Sequence, residues 1–489
     1  MSAPTIDTTP GSPRALLPVL IWAALSTAVI SSLGLLLIPT IAHSMNVTVS
    51  TAQWVLTVNL LVGAIATPIL GRLSDGNGTK RLLLITLALI LIGSVLAATA
   101  PTFHQLLVGR ALQGFSFAVI PMTITLLRRH AHADEVGRGI SALSVTAATG
   151  VGIGYPLTGI IAASVDFHFA FWFAALFVAS AIVVVSVVVP TNDRAAVTRP
   201  AFDYVGAAFL SIGLAALLLG ISEGPDWSWA SPLTIGMLVL AALGIAAWVA
   251  VELRSGHPLV RLGVLKYSDV LLANGTAIGL GSAMYIGLSV VSLVAQAPSA
   301  AGYGLALPLF WAGFVMLPLS IGSQVASRLS RVVTRRIPST TLLPVGAGFV
   351  TLSNAFMLFE HDALWEVVVG MFFFGLGIGT TFAAMPTLIS RSVVVAELGS
   401  AVSFNQVLRT IGGSVGSAVA GAILAAHLGA SGGASGAGID LAFAVSAGAC
   451  ALVLVLLVVH TVVSSRRRAR AVREAAAAGT ARASSSISV

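Results

Sequence analysis

The chain has 489 residues, of which 57% are hydrophobic and 9% charged, and its mean hydropathy is +0.99. A soluble protein of this length carries far more charge on its surface, so the composition excludes a soluble enzyme and indicates a polytopic membrane protein. The single cysteine, Cys450, lies in an apolar run, which excludes an internal disulfide and gives no sign of a metal site or thiol chemistry.

Long apolar runs divide the chain from one end to the other. Runs of about 20 residues can each cross a membrane as a helix, whereas a barrel needs alternating segments of about ten residues. Fourteen such runs are present, at residues 16–41, 54–70, 82–100, 105–127, 137–163, 167–189, 205–221, 232–251, 270–294, 305–325, 341–359, 364–389, 399–426 and 441–463. The predicted fold class is therefore an all-α polytopic membrane protein with fourteen transmembrane helices.

The charged residues agree with this count. Arg110 and Arg409 fall well inside runs, and every other Lys and Arg lies at the N-terminus, in an even-numbered connection or at its edge (Arg138), or at the C-terminus. The odd-numbered connections hold only acidic charge, such as Asp166 and Asp440. Because Lys and Arg concentrate in cytoplasmic loops, both termini are predicted to be cytoplasmic. The positive charge thus follows membrane topology, and no nucleic-acid partner is expected.

Both ends of the chain are predicted to be cytoplasmic segments. Residues 1–15 form a polar N-terminal segment, and residues 465–489 form a basic tail next to the last run. A basic segment at this place can attract anionic lipid. A simple role as an orientation anchor is the favoured alternative.

Internal repeats indicate a duplicated architecture. The segment 108–114 matches 369–375, and a constant offset of 262 residues pairs Gly150 with Gly412 and Gly154 with Gly416. Repeats in the same order and direction indicate two parallel halves. We therefore predict a six-helix half at 16–190, a second at 253–464, and two inserted helices at 191–252.

Five motifs occur in order along the chain. They are Gly71-x-Leu-Ser-Asp75-x-x-Gly78-x-Lys80-Arg81, Arg110-x-x-Gln113-Gly114, Gly150-x-x-x-Gly154-Tyr-Pro156-x-x-Gly159, Phe202-Asp203-Tyr-Val-Gly206 and Asn405-x-x-x-Arg409-x-x-Gly412-Gly413. Together they resemble the major facilitator superfamily, specifically its fourteen-helix drug:proton antiporter branch. The resemblance implies two halves that alternate access to a central path, export of small amphiphilic compounds or drugs, and coupling to protons. It also implies a monomer in the cytoplasmic (inner) membrane of a bacterium, in contact with lipids and without a cofactor.

The first motif is a short charged loop between two runs. Gly71 and Gly78 permit a tight chain reversal, and Asp75 can accept hydrogen bonds from a helix N-terminus or pair with a cytoplasmic Arg. The resemblance implies that this loop, including Lys80 and Arg81, is a gate that holds the halves together. A short loop that merely satisfies the positive-inside rule is the alternative.

The glycine motifs predict close helix packing. Gly150, Gly154 and, across Pro156, Gly159 are expected to form one face of small residues in the fifth helix. Gly412 and Gly416 repeat this arrangement in the thirteenth helix. Tight packing is their expected direct role, and rocking of the halves is its consequence.

Two buried charges are the main candidates for the transport path. A charge near the bilayer centre costs roughly 2.5 to 3.5 kcal/mol on insertion scales, so Arg110 and Arg409 are functional candidates. Helical spacing predicts that Gln113 shares a cavity-facing stripe with Arg110, and Asn405 one with Arg409. A structural brace that binds helix carbonyls is the alternative for either Arg.

Three more polar residues within or at the ends of runs are candidates for the path. They are Asn59, Tyr285 and Gln296, and each is as readily explained by a contact between helices.

One feature of the resembling branch is missing. Its first helix commonly carries an Asp some nine residues before a Pro, and counting back from Pro39 gives Ile30. No Asp or Glu lies deep in any run, so proton coupling rests on the resemblance alone. Two buried Arg without a buried acid favour an anionic or amphiphilic substrate.

The favoured function is therefore a secondary transporter for small molecules. A lipid or metabolite translocator, or a sensor or assembly protein that does not transport, is the alternative. An enzyme is not expected, because the chain has no nucleotide-binding loop.

Overall fold

The computed structural model describes residues 13–47, 49–76, 78–164, 166–190, 202–299, 302–333, 339–394, 397–427 and 434–485. Within these ranges the chain folds into helices joined by short connections, without a β-strand. The predictions for residues 1–12, 191–201 and 486–489 fall outside the described residues.

The first half of the described chain contains six successive helical segments. α1 is Pro13–Ser32, continued after a 3-10 turn by Ile38–Ser44; α2 is Val49–Ser74; α3 is Thr79–Ala98; α4 is Phe103–Gln113, continued by Val119–His130; α5 is Ala133–Ser164; and α6 is Phe167–Val188. Two further helices follow, α7 at Tyr204–Trp227 and α8 at Pro232–Glu252.

The second half repeats the pattern of the first. α9 is Ser268–Gln296; α10 is Leu309–Phe314, continued by Leu317–Val333; α11 is Leu342–Phe359; α12 is Leu364–Ser392; α13 is Leu398–Ala426; and α14 is Gly436–Ser485. The predicted tail begins within the last of these helices, since α14 runs without a break as far as Ser485.

The helices are long and apolar enough to cross a membrane. Among the described residues, 13 helices meet that standard, and they correspond to thirteen of the fourteen predicted runs. The remaining run corresponds to α5, which has 32 residues and an apolar stretch at Gly152–Ala162. At 1.5 Å per residue α5 is about 48 Å long, which exceeds the thickness of a bilayer core.

Glycines bring helices of the same half into close contact. A Cβ on Gly150 would lie 2.3 Å from the Ala28 Cβ, and one on Gly154 would strike the Ser32 hydroxyl, so α5 packs tightly on α1. In the second half, Cβ atoms on Gly412 and Gly416 would strike the carbonyl oxygens of Ile278 and Ser282, both in α9. The pair α5 and α1 therefore has its counterpart in α13 and α9, as a duplicated fold requires.

The predicted single glycine face of α5 is wrong at one position. A Cβ on Gly159 would lie 2.8 Å from the carbonyl oxygen of Leu309, in α10 of the other half. Four residues separate Gly150 from Gly154, but five separate Gly154 from Gly159, and at 3.6 residues per turn this rotates Gly159 by about 140°. The α5 helix, which contains Pro156, thus packs on its own half through one face and on the opposite half through another.

The two additional helices pack across the line where the halves meet. Gly213 of α7 and Gly244 of α8 cross so closely that a Cβ on either would lie within 3 Å of the other helix. Leu210 and Trp248 of this pair belong to one apolar cluster with Val407 of α13. Ile69 of α2 packs against the same cluster, so the pair contacts both halves. The division at 16–190, 191–252 and 253–464 remains a prediction.

Candidate functional site

The loop after α2 joins the two halves on one side of the molecule. We call this side, which holds residues 74–76, 78–79, 128–133 and 397–400, the basic side. The Asp75 carboxylate accepts hydrogen bonds from the backbone N–H groups of Gly399 at 2.7 Å and Ser400 at 3.1 Å. These groups lie in the first turn of α13, where the N–H groups have no partner within the helix and the helix dipole favours an anion.

Close backbone approach makes this contact possible. A Cβ on Gly71 would strike the Ser403 hydroxyl, and one on Gly399 would lie 2.5 Å from the Asp75 carboxylate. Gly78 has φ = 87°, a left-handed conformation that glycine adopts without strain. We call the contact of Asp75 with Gly399 and Ser400 the latch.

Burial changes the acidity of the latch. Asp75 is only 2% exposed, and this burial raises the pKa of its carboxyl from the ordinary 3.8 to about 7. Hydrogen bonds from Ser400 and Gly399 and the charge of Arg72 lower the pKa, but they do not cancel the effect of burial. Asp75 therefore titrates near neutral pH when the basic side is closed.

Basic residues support the latch from within the first half. Arg129 of α4 donates hydrogen bonds to the carbonyl oxygens of Asp75 and Gly76 and to the Thr79 hydroxyl, which fixes the shape of the loop. Lys80 donates to the carbonyl oxygens of Ser186 and Val189 at the C-terminal end of α6. Lys80 is thus a helix cap within its own half, and Arg81 is exposed.

Further polar contacts cross between the halves. Arg128 of α4 donates to the Val393 carbonyl oxygen at 3.3 Å, next to the end of α12. Ser320 of α10 donates to the Thr149 carbonyl oxygen at 2.7 Å, and Gln324 donates to the Thr149 hydroxyl at 2.8 Å. The two halves are therefore in contact both at the basic side and along α5 and α10.

A cavity of about 70 Å³ lies between the halves, near the middle of the helices. Helices α1 and α4 contribute one wall, and α9, α12 and α13 contribute the other. Its lining residues are Thr27, Ala28, Ser31, Ser116, Phe117, Ile120, Met284, Tyr285, Phe382, Gln406, Arg409 and Thr410. The lining combines apolar side chains with a few polar groups and one formal charge, as small-molecule sites do.

Arg409 carries that charge. Its guanidinium carbon lies 4.0 Å from the centre of the Phe382 ring, a cation–π geometry. Tyr285 faces the cavity beside it, and the Tyr285 ring packs on Gly413, where a Cβ would lie 2.6 Å from a ring carbon. Arg409 and Tyr285 thus line the cavity, and their part in a transport path stays a prediction.

Arg110 lies elsewhere, inside the first half. It is fully buried and donates to the carbonyl oxygen of Val55 at 3.0 Å, to that of Ile30 at 3.4 Å, and to the Gln113 side chain at 2.7 Å. Gln113 in turn donates to the Ser94 hydroxyl at 2.9 Å. The expectation that Arg110 and Gln113 line the cavity is therefore corrected, because these side chains brace α4 against α1, α2 and α3.

Three other candidates for the path also make helix contacts. Asn59 donates to the Arg110 carbonyl oxygen at 3.1 Å, and Asn405 donates to the Ala273 carbonyl oxygen and to Asn274 of α9. Gln296 donates to Ser292, one turn earlier in α9, far along the helix from the cavity-lining Met284 and Tyr285. None of the three lines the cavity.

Sequence reasoning missed Gln406 and Thr410 on the cavity wall. Both lie in α13 beside Arg409, at offsets of three and one residues. Asn405 is four residues from Arg409 and is an equally good helical neighbour. From the sequence we predict Asn405, and not Gln406, beside Arg409. Helical spacing could have suggested Gln406, but only packing against α9 decides between the two.

No resident metal site emerges from the described residues, where no three His, Cys, Asp or Glu side chains lie together.

A membrane-spanning bundle with a duplicated core, a central polar cavity and a closed contact at one side is the architecture of membrane transporters built from two repeated halves. The chain belongs to the Major Facilitator Superfamily, whose model matches residues 19–417. The family expected from the motifs is confirmed. It is a family of transporters rather than enzymes.

Relatives by sequence are bacterial. An uncharacterized MFS-type transporter of Mycobacterium tuberculosis is 26% identical over 407 residues, which are 81% of this chain and 56% of the relative. This chain thus spans little more than half the length of that relative. The lincomycin resistance protein of Streptomyces lincolnensis is 27% identical over 77% of each chain. The multidrug resistance protein Stp of M. tuberculosis is 27% identical over 77% of this chain and 70% of its own length.

A solved structure has the same fold. The human organic anion transporter MFSD10 aligns with a TM-score of 0.63 and 15% identity over 91% of this chain and 99% of that chain. At that identity the likeness concerns the fold alone.

Proposed function

We propose that this protein exports small amphiphilic compounds, including drugs, across the cytoplasmic membrane of a bacterium by alternating access. The observation that supports this most is the cavity between the two halves, which contains an Arg without a hydrogen-bond partner among the described residues. The latch contacts the first turn of α13, the same helix that carries this Arg. Residues that line it come from both halves, so a rocking motion of one half against the other would change its access.

The relatives support export as the direction of transport, and the charge pattern supports a cytoplasmic position for the latch. Relatives named for lincomycin and multidrug resistance support export. The basic side carries the Lys and Arg that the positive-inside rule assigns to the cytoplasm, so the latch closes the cytoplasmic side. Both termini are cytoplasmic in this proposal.

Proton coupling is part of the proposal through the resemblance to drug:proton antiporters. Among the described residues that line the cavity there is no Asp, Glu or His. A candidate for proton exchange near neutral pH is Asp75 in the latch, because burial raises the pKa of its carboxyl to about 7. Coupling would then act on closure of the cytoplasmic side rather than in the substrate cavity.

Export can be tested with two matched glycine variants. Gly71→Leu places a side chain where a Cβ already strikes Ser403, so the cytoplasmic side could no longer close. Gly236→Leu adds the same side chain to α8, where a Cβ meets nothing within 4 Å. Cells that lack their main efflux pumps should accumulate less of a fluorescent amphiphile when they express the wild type or Gly236→Leu, and no less when they express Gly71→Leu.

Assays with the purified protein distinguish drug export from the alternative functions. In proteoliposomes with a pH gradient, substrate should cause proton flux with the wild type; transport without proton flux would remove the coupling from the proposal. Movement of labelled lipid without any effect on drug accumulation would establish a lipid translocator. Accumulation with the wild type, inserted in the membrane, that equals accumulation in cells without the protein would contradict export.

A further inference from the structure

The guanidinium of Arg409 has unused hydrogen-bond donors that face the cavity. In the part of the chain that the structure describes, this group makes no hydrogen bond or ion pair, and its carbon lies 4.0 Å from the centre of the Phe382 ring. The residue is partly exposed to the cavity and forms part of its wall. A guanidinium carries five N–H donors and no acceptor. Because the described neighbours of Arg409 accept no hydrogen bond from it, these donors are free to bind water or a ligand.

Among the described residues, the charge of Arg409 also has no counterion. The described residues that line the cavity include no carboxylate, and Tyr285 is the one other ionisable side chain among them. A cation taken out of water costs several kcal/mol unless a partner of opposite charge compensates it. The cavity is therefore electropositive and suited to an anion.

Arg110 shows what a structural Arg looks like in the same protein. It is 0% exposed and donates to two backbone carbonyl oxygens and to Gln113. Among the described residues, Arg409 lacks such acceptors although it too lies within an apolar helix. A brace role therefore explains Arg110 and does not explain Arg409.

We propose that the cavity selects amphiphilic anions, and that Arg409 binds their carboxylate or sulfonate group. Two parallel N–H donors of a guanidinium match the two oxygens of such a group. Gln406 and Thr410 lie on the same helix as Arg409 and can add hydrogen bonds, while Phe117, Ile120 and Met284 offer an apolar surface for the rest of the molecule. This inference rests on the proposed transport function and specifies its substrate class.

The size of the cavity indicates when a substrate can enter it. In the present arrangement it holds about 70 Å³, which is room for an acid group and not for a whole drug-sized molecule. The apolar part of a substrate must enter while one side of the protein is open. The acid group is thus expected to stay with Arg409 while the halves close around it.

Binding to purified protein in nanodiscs tests the inference separately from transport. Three ligands with one alkyl-aryl scaffold are compared, ending in a carboxylate, a primary carboxamide or a trimethylammonium group. The variants are Arg409→Gln, Arg409→Lys and, as a matched control that removes an exposed Arg outside the cavity, Arg138→Gln. Wild type and Arg138→Gln should bind the carboxylate at least about tenfold more tightly than the carboxamide.

The variants at position 409 give the decisive comparison. Arg409→Gln should bind the carboxylate and carboxamide equally, with its carboxamide affinity unchanged, and Arg409→Lys should keep part of the preference. Equal binding of all three ligands by the wild type, or tighter binding of the trimethylammonium ligand, would overturn the inference and leave export intact. Anion preference in binding without transport of any compound would overturn the proposed function instead.

Discussion

Arg110 and Arg409 carry the same charge within apolar helices, yet their surroundings differ. The sequence predicts that both lie in hydrocarbon and that helical neighbours share their faces. It does not show which face meets the cavity, because that depends on contacts with other helices. Arg110 finds the carbonyl oxygens of Ile30 and Val55, whereas Arg409 meets a ring face and open space.

Asp75 is the residue whose chemistry was predicted most closely. The sequence left two partners open, a helix N-terminus or a cytoplasmic Arg, and the carboxylate accepts from the first turn of α13. Which of the later helices would supply those N–H groups was not predictable from spacing, since Gly399 follows Asp75 by more than 300 residues. The resemblance to a known family supplied the idea of a contact between halves.

The latch should respond to pH. In the closed state the pKa of the Asp75 carboxyl is about 7, while in water its ordinary value is 3.8. Above pH 7 the carboxyl is charged in both states, and below 3.8 it is neutral in both. The closed state binds more protons between these values, so it gains stability as pH falls from about 7 towards 4 and loses it as pH rises.

The closure can be measured as the distance between two spin labels. The labels are attached at Arg81→Cys and Val394→Cys, two exposed positions at the basic side, in a protein that also carries Cys450→Ala. The short-distance population should grow on acidification, and it should be independent of pH in Asp75→Asn. Nearby charges include Arg72, Arg129 and the Arg261–Glu397 pair, which is why the Asn variant is needed to assign the titration. Equal pH dependence in both proteins would assign it to another group.

At the scale of elements, glycine spacing predicted the tight helix pairs but not all of their partners. A spacing of four residues keeps Gly412 and Gly416 on one face of α13, and both meet α9. The same spacing places Gly150 and Gly154 against α1. A spacing of five residues sent Gly159 to α10, a partner that periodicity alone does not reveal.

The seam between α9 and α13 gives a stability prediction. In Gly416→Val the added Cβ would collide with the Ser282 carbonyl oxygen, so we expect a loss of about 1–3 kcal/mol from overpacking and a lower melting temperature. The control is Gly421→Val in the same helix, where a Cβ meets nothing within 4 Å. If the two variants melt alike, the seam does not contribute as proposed.

At the scale of the whole molecule, composition and charge alternation predicted most of the fold. Helix number and duplication follow from long apolar runs and from a repeat offset, which are properties of the chain itself. The cavity could not be predicted in the same way, since its wall combines side chains from five helices in two halves. The packing of α7 and α8 across α2 and α13 could not be predicted from the sequence either. Apolar residues on a membrane helix face lipid or protein equally well.

Alternating access at the cavity is the central claim, and one pair of distances tests it most directly. The Arg81 and Val394 labels report on the basic side, while labels at the exposed Thr102 and Asp362 report on the opposite side. A change of pH or the addition of substrate should lengthen the distance between the two labels on one side of the protein and shorten the distance between the two labels on the other side. A single unchanged distance for each pair under all conditions, in protein that binds substrate, would contradict the account.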